Sequence, residues 1–199
     1  MKPQETGKRY DAIALWWDAQ QGTMSAGMHY IERAISLCSK RRKGLDVGCG
    51  SGGRIIDALT SAGFEVLGID VSESMLALAK SRHPAAKFVH GDVCEWEPSD
   101  KYDLIIAWDS VFHVPHGDQR TVVEKLCAAL VPGGVLLFTA GGIDGEITGE
   151  MNGHTFYYSS LADEEYIEVL KSSGCTCVLM DRDQYPEHHI VLLAVREDA

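Results

Sequence analysis

The chain opens with apolar residues at helical spacing. Tyr10, Ile13, Ala14 and Trp17 in YDAIALWWD recur every three or four positions, which predicts a helix over residues 10–18 behind a polar tail of nine residues. A second helix is expected across SAGMHYIERAISLCSKRR (25–42), with Ser25 as its N-cap and basic residues at its C-terminal end, where the helix dipole favours cations. From Gly44 the period changes. Short apolar runs at 44–48, 64–70, 87–92, 102–108 and 133–140 read as strands, and amphipathic stretches at 53–62, 72–82 and 118–130 read as the helices between them. Strands alternating with helices imply βαβ units and a parallel sheet.

The C-terminal third breaks that alternation. A helix over 160–173 stops at Gly174, and strands CTCVLMD (175–181) and HIVLLAV (189–195) follow without a helix between them. Two strands joined by a short loop pair antiparallel, so one antiparallel strand is expected in the sheet. The stretch 141–158, GGIDGEITGEMNGHTFYY, is too rich in glycine for a helix and is expected to be a long functional loop.

Composition narrows the class. The 199 residues suit one domain, and 45% apolar with 24% charged residues is ordinary for a globular protein. No apolar run is long enough to span a bilayer, and the polar start MKPQETGKRYD is no signal peptide, so a cytoplasmic protein without membrane contact is expected. Six dispersed cysteines without CxxC spacing fit reduced thiols. With 29 acidic against 18 basic residues, the net charge of −11 repels nucleic acid, and no such partner is expected.

The chemistry concentrates in LDVGCGSGG (45–53), a glycine loop directly after a strand. A phosphate-binding P-loop needs GK[ST], and Arg54 and Ile55 stand there instead. A dinucleotide loop agrees with Asp70, about 20 positions on, but would set Asp46 beside a pyrophosphate, where like charges repel. A nucleoside with a cationic, amine-bearing end removes that conflict. LDVGCGSG, GIDVSESML, HGDVCEW, YDLIIAWDSVFHV and LVPGGVLLF, in that order over residues 43–196, resemble the class I S-adenosylmethionine-dependent methyltransferases.

That resemblance implies a doubly wound, mostly parallel seven-stranded sheet with one antiparallel strand near the C-terminus. It implies a helical lid over residues 1–42 and a cofactor-binding domain over 43–199, with S-adenosylmethionine as cofactor and S-adenosylhomocysteine as product. Asp46, Gly48 and Gly50 would line the methionine end, and Asp70 would take the ribose hydroxyls. Val71 and Met75 would pack on the adenine, Asp92 and Val93 would meet its edge, and Trp108 would close the site. Independently, open α/β sheets bind ligands beyond the carboxyl ends of their strands, where Asp46, Asp70, Asp92 and Trp108 all fall.

Methyl transfer asks the protein mainly to align a nucleophile and remove its proton. His113, just past the strand 102–108, is the candidate base. Trp17, His154, Tyr157 and His188 are candidates for acceptor binding, and no metal is expected, since Pro115 interrupts HVPH and no third ligand accompanies it. The expected activity is methyl transfer to a small molecule. A protein or tRNA methyltransferase, a silent S-adenosylmethionine-binding regulator and a nicotinamide-dependent oxidoreductase stand as alternatives.

Overall fold

The computed structural model of the chain describes residues 1–21, 26–183 and 189–198. Strands β1 (Lys43–Val47), β2 (Glu65–Asp70), β3 (Lys87–His90), β4 (Tyr102–Ala107), β5 (Leu130–Gly141), β8 (Cys175–Asp183) and β9 (His189–Arg196) form one seven-stranded sheet in the order β3-β2-β1-β4-β5-β9-β8. All neighbours from β3 to β5 pair parallel, while β9 runs antiparallel to both β5 and β8. The doubly wound sheet with a single antiparallel strand is the architecture the sequence implied.

Burial on both faces explains why the central strands read as unbroken apolar runs. Every residue of β4 is buried, as expected for a parallel sheet covered by helices on both sides. On one face Leu45, Ile105, Leu136 and Leu192 pack with Val122 and Leu126 of α5 (Gln119–Ala128) and Tyr166, Val169 and Leu170 of α6 (Asp163–Ser172). On the other, Leu104, Ile106 and Leu137 meet α2 (Met28–Leu37) through Ile31 and Ala34, and α3 (Arg54–Ser61) through Ile56 and Leu59. The same face takes Leu76 of α4 (Glu73–Arg82), whose N-terminus is capped by Ser72 Oγ accepting from the Met75 amide.

Three expectations need correction. The supposed tail is helical: α1 runs from Pro3 to Gln21. Pro3 fits because a first-turn proline lacks only an amide that has no helical partner. The second helix is shorter than 25–42 and ends at Leu37; Ser25 lies outside the described residues, and Gly27 occupies the N-cap with φ +78°. The basic cluster lies beyond the helix, where the Arg42 and Lys43 amides donate to the Asp103 carboxylate. The stretch 141–158 is mostly not a loop: β6 (Gly145–Met151) and β7 (His154–Ser160) pair as an antiparallel hairpin. Asn152 and Gly153 turn it, both with positive φ, as tight hairpins require.

The segment from β4 to α5 forms two 3₁₀ turns, Val111–His113 and His116–Asp118. Gln119, fully buried, ties this segment to its neighbours. Its amide nitrogen donates to the Val111, Val114 and Ser159 carbonyls at 3.3, 3.4 and 2.8 Å, and its oxygen accepts from the Tyr166 hydroxyl. We expect Gln119→Leu to cost about 2–3 kcal/mol, because buried acceptors lose their donor. Urea unfolding measures this, and an unchanged midpoint would remove Gln119 as the tie.

Candidate active site

The strand order reverses at β1, whose two neighbours β2 and β4 connect away to opposite sides. Beyond the carboxyl ends of these strands lies a cavity of about 1150 Å³, its open mouth included. Its floor is the glycine loop. Gly48 has φ +71°, and a Cβ there would stand 2.4 Å from Ser110 Cβ, so only glycine fits. Four of the loop amides are already committed within the protein. Gly48 and Cys49 donate to the Ile69 carbonyl at 2.8 and 3.1 Å, Gly50 donates to Asp70 Oδ2 at 2.8 Å, and Gly52 donates to the Cys49 carbonyl at 3.0 Å. A phosphate cradle needs such amides free to face the anion.

Two carboxylates stand at the strand ends instead. Asp46 is 2% exposed, and its Oδ1 is buried without a hydrogen-bond partner. Burial, reinforced by the nearby Asp70 and partly opposed by Arg54, pushes its carboxyl up to about 8. Asp70 accepts from the Gly50 and Ser72 amides, both at 2.8 Å, and burial outweighs those bonds to raise its pKa as well. Asp92 Oδ1 accepts from the Cys94 amide at 2.8 Å, and its Oδ2 accepts from Gln4 of α1 at 2.9 Å.

All nine residues expected at the cofactor, Asp46, Gly48, Gly50, Asp70, Val71, Met75, Asp92, Val93 and Trp108, line this one cavity. Trp108 is 4% exposed with its ring 6.1 Å from Tyr30, and its indole nitrogen is buried without a partner. Helix α1 contributes Pro3, Thr6, Tyr10 and Trp17 to the wall, whereas α2 packs on the sheet beneath. The α1 position is held by Asp11, which accepts from Ser72 Oγ and the Ser74 amide, and by Asp18 against Arg82.

His113 also lines the cavity, but both ring nitrogens are engaged. Nδ1 lies 2.8 Å from the Tyr157 carbonyl, which can only accept, so Nδ1 carries the proton; Nε2 then accepts from the Tyr10 hydroxyl at 2.9 Å. Burial lowers its pKa to about 4. An imidazole so placed fixes its partners, and the lone pair expected to act as the base accepts from Tyr10. Tyr157 reaches His113 through its backbone only. Its hydroxyl donates to Glu146 Oε1 and accepts from the His116 amide, and neither it nor His154 lines the cavity. The alternation of β7 is the physical reason: it points Phe156 at Tyr10, ring centroids 4.8 Å apart, and turns Tyr157 away. His188 lies outside the described residues.

Sequence reasoning missed Tyr10, Asp109 and Ser110. Tyr10 carried only a helix-face signal. Asp109 is left-handed, with φ +52°, which is uncommon for a residue with a side chain. Its amide donates to Thr139 Oγ1 at 2.8 Å, and its Oδ1 accepts from His189 Nε2 at 3.0 Å. Among the described residues no three His, Cys, Asp or Glu side chains are grouped to hold a metal, and no helix is long and apolar enough to cross a membrane.

Residues 45–134 match the family described as "Methyltransferase domain". The chain is 41% identical over 95 residues to a trans-aconitate 2-methyltransferase of Paracidovorax citrulli, covering 46% of this chain and 36% of that protein. It is 34% identical over 148 residues to a ubiquinone biosynthesis O-methyltransferase of Coxiella burnetii, covering 68% of this chain and 61% of the other. The chain thus spans less than two thirds of either relative. In fold it is similar to a magnesium protoporphyrin IX methyltransferase of Synechocystis solved with bound S-adenosylmethionine, with TM-score 0.74, 14% identity, and 99% and 98% of the two chains covered.

Asp46 generates a test in the ligand-free protein. Its folded pKa of about 8 exceeds the ordinary 3.8, so its contribution to stability is fullest below pH 3.8 and is lost as pH rises towards 8. Asp46→Asn keeps the shape and cannot ionise. We expect it to stabilise the protein by more than about 1 kcal/mol at pH 8 and by nearly nothing at pH 4, each pKa unit being worth about 1.4 kcal/mol. Thermal or urea unfolding at both pH values checks this, and an equal effect at both would mean that Asp46 is ionised normally.

Proposed function

We propose that this chain, whose residues 45–134 form a methyltransferase domain of the class I S-adenosylmethionine-dependent family, binds S-adenosylmethionine and transfers its methyl group to a small molecule. The observation that carries this reading is Asp46. A buried carboxyl with a vacant acceptor oxygen, at the mouth of a loop with four amides used internally, ionises against an incoming ammonium group and gains no such partner from a pyrophosphate. In this reading Asp46, Gly48 and Gly50 hold the amino-acid end of the cofactor, and Asp70 takes the ribose hydroxyls. Val71 and Met75 flank the adenine, Asp92 and the Val93 backbone meet its edge, and Trp108 closes the site. The cavity brings these nine together, which supports the assignment.

When bound, the sulfonium supplies a methyl group already activated for displacement. The chain supplies placement. Tyr10 and Trp17 cover the acceptor side from α1, and His113 locks the Tyr10 hydroxyl and the β7 backbone in one geometry. His113 is a positioning residue here. The net charge of −11 favours a small acceptor over a nucleic acid, and the two curated relatives are named for small-molecule acceptors.

Calorimetry tests the reading. S-adenosylhomocysteine should bind, and NAD should not. At pH 7 binding should release a substantial fraction of one proton, because Asp46 ionises against the incoming ammonium; buffers of different ionisation heat measure it. Asp70→Ala should weaken S-adenosylhomocysteine at least tenfold, since charge-assisted bonds are worth roughly 1.5–3 kcal/mol each. NAD binding as tight as that of S-adenosylhomocysteine would falsify the assignment.

A further inference from the structure

The acceptor side of the cavity carries a charge pattern that the cofactor contacts leave unused. Past β4, Asp109 and Ser110 line the wall, and Ser110 packs against Gly48 at the floor, next to the methionine end of the proposed cofactor site. The left-handed Asp109 backbone is fixed by its amide donating to Thr139 Oγ1, and its carboxylate is held by His189, whose ring is buried between Trp108 and Phe112 at centroid distances of 6.0 and 6.2 Å. Ser110 Oγ is buried without a partner. The rings of Tyr10, Trp17 and Trp108 line the same cavity. No lysine lines the cavity among the described residues, and its one arginine, Arg54, lies at the glycine loop.

A fixed carboxylate, an unfilled hydroxyl and aromatic faces together form the environment that holds an ammonium group, through charge, hydrogen bonds and cation–π attraction. A carboxylate acceptor would meet Asp109 with no cation to offset it. We propose that the methyl acceptor is an amine, held as its ammonium ion by Asp109 with Ser110 Oγ accepting a second N–H, among the rings of Tyr10, Trp17 and Trp108. The proposal rests on the cofactor reading above.

The ammonium passes one proton to the Asp109–His189 pair, which gains one unit of positive charge. The freed nitrogen lone pair forms the N–CH₃ bond as the S–CH₃ bond breaks, and that bonding pair stays on sulfur as the neutral thioether. The methylated nitrogen leaves as an ammonium ion, and the pair returns its proton to water.

The test begins with protein saturated in S-adenosylhomocysteine. A set of primary and secondary amines and a size-matched set of carboxylic acids are compared by calorimetry, then by methyl transfer from labelled S-adenosylmethionine. Amines should bind and turn over at least tenfold better than matched acids, the effect of about one charge-assisted contact. Asp109→Asn should remove that preference while S-adenosylhomocysteine affinity stays within twofold. Acids preferred over amines, or no amine binding to the S-adenosylhomocysteine complex, overturns the proposal and leaves the cofactor reading intact. So does an Asp109→Asn variant that weakens S-adenosylmethionine but not S-adenosylhomocysteine, because Asp109 would then serve the sulfonium. Failure to bind S-adenosylhomocysteine at all removes the cofactor reading and the proposal together.

Discussion

A parallel strand whose neighbours connect away in opposite directions leaves its carboxyl end uncovered, and here that strand is β1. Its middle is locked between β2 and β4, with Leu45 opposite both Leu67 and Ile105, so its end has one fixed position. Everything at the site takes its place from that end. The glycine loop leaves β1 and folds back on the Ile69 carbonyl at the end of β2. Gly48 then comes close enough to Ser110 that the loop after β4 is fixed against it. Asp46, Asp70 and Asp109 are thereby brought to one cavity from three separate strand ends.

The cost of this arrangement is electrostatic. Burial raises the hold of both Asp46 and Asp70 on their protons, Asp70 adds to that push on Asp46, and Asp46 lacks a partner for one oxygen. A folded protein retains such a group when the surrounding core overdetermines it and a ligand resolves it. Asp109 belongs to the same pattern. A left-handed aspartate is tolerated because Thr139, His189 and the packed sheet beneath leave it no alternative.

Above the cavity, α1 behaves differently from the sheet helices. Few of its residues are fully buried, Thr6, Ile13 and Ala14 among them, and polar contacts do much of the holding: Gln4 to Asp92, Asp11 to Ser72 and Ser74, Asp18 to Arg82 and Tyr10 to His113. Several of these anchors touch residues proposed for the cofactor or stand beside them. The proposed cofactor site and the seating of α1 therefore share groups, Asp92 and its Gln4 contact among them.

The sheet and the glycine loop at its carboxyl end were legible in the sequence because they are local. Apolar runs separated by amphipathic helices specify parallel strands, a glycine loop between Asp46 and Asp70 marks the strand ends, and the nine residues that the family resemblance implied for a cofactor line one cavity. Residues 1–9 and 141–158 were misjudged because their order comes from long-range contact. Gln4 finds Asp92 across the chain, and the glycine-rich hairpin gains its fixed form against His113 and Gln119. The acceptor side was hidden for the same reason. His113 reads as a base in sequence because histidine titrates near neutrality, but burial, the Tyr157 carbonyl and the Tyr10 hydroxyl decide its protonation state. Asp109 and His189 lie 80 positions apart, and only the antiparallel pairing of β9 with β5 brings that imidazole to the carboxylate. Periodicity determines which strands form, whereas the electrostatic partners of a side chain depend on distances that periodicity does not encode.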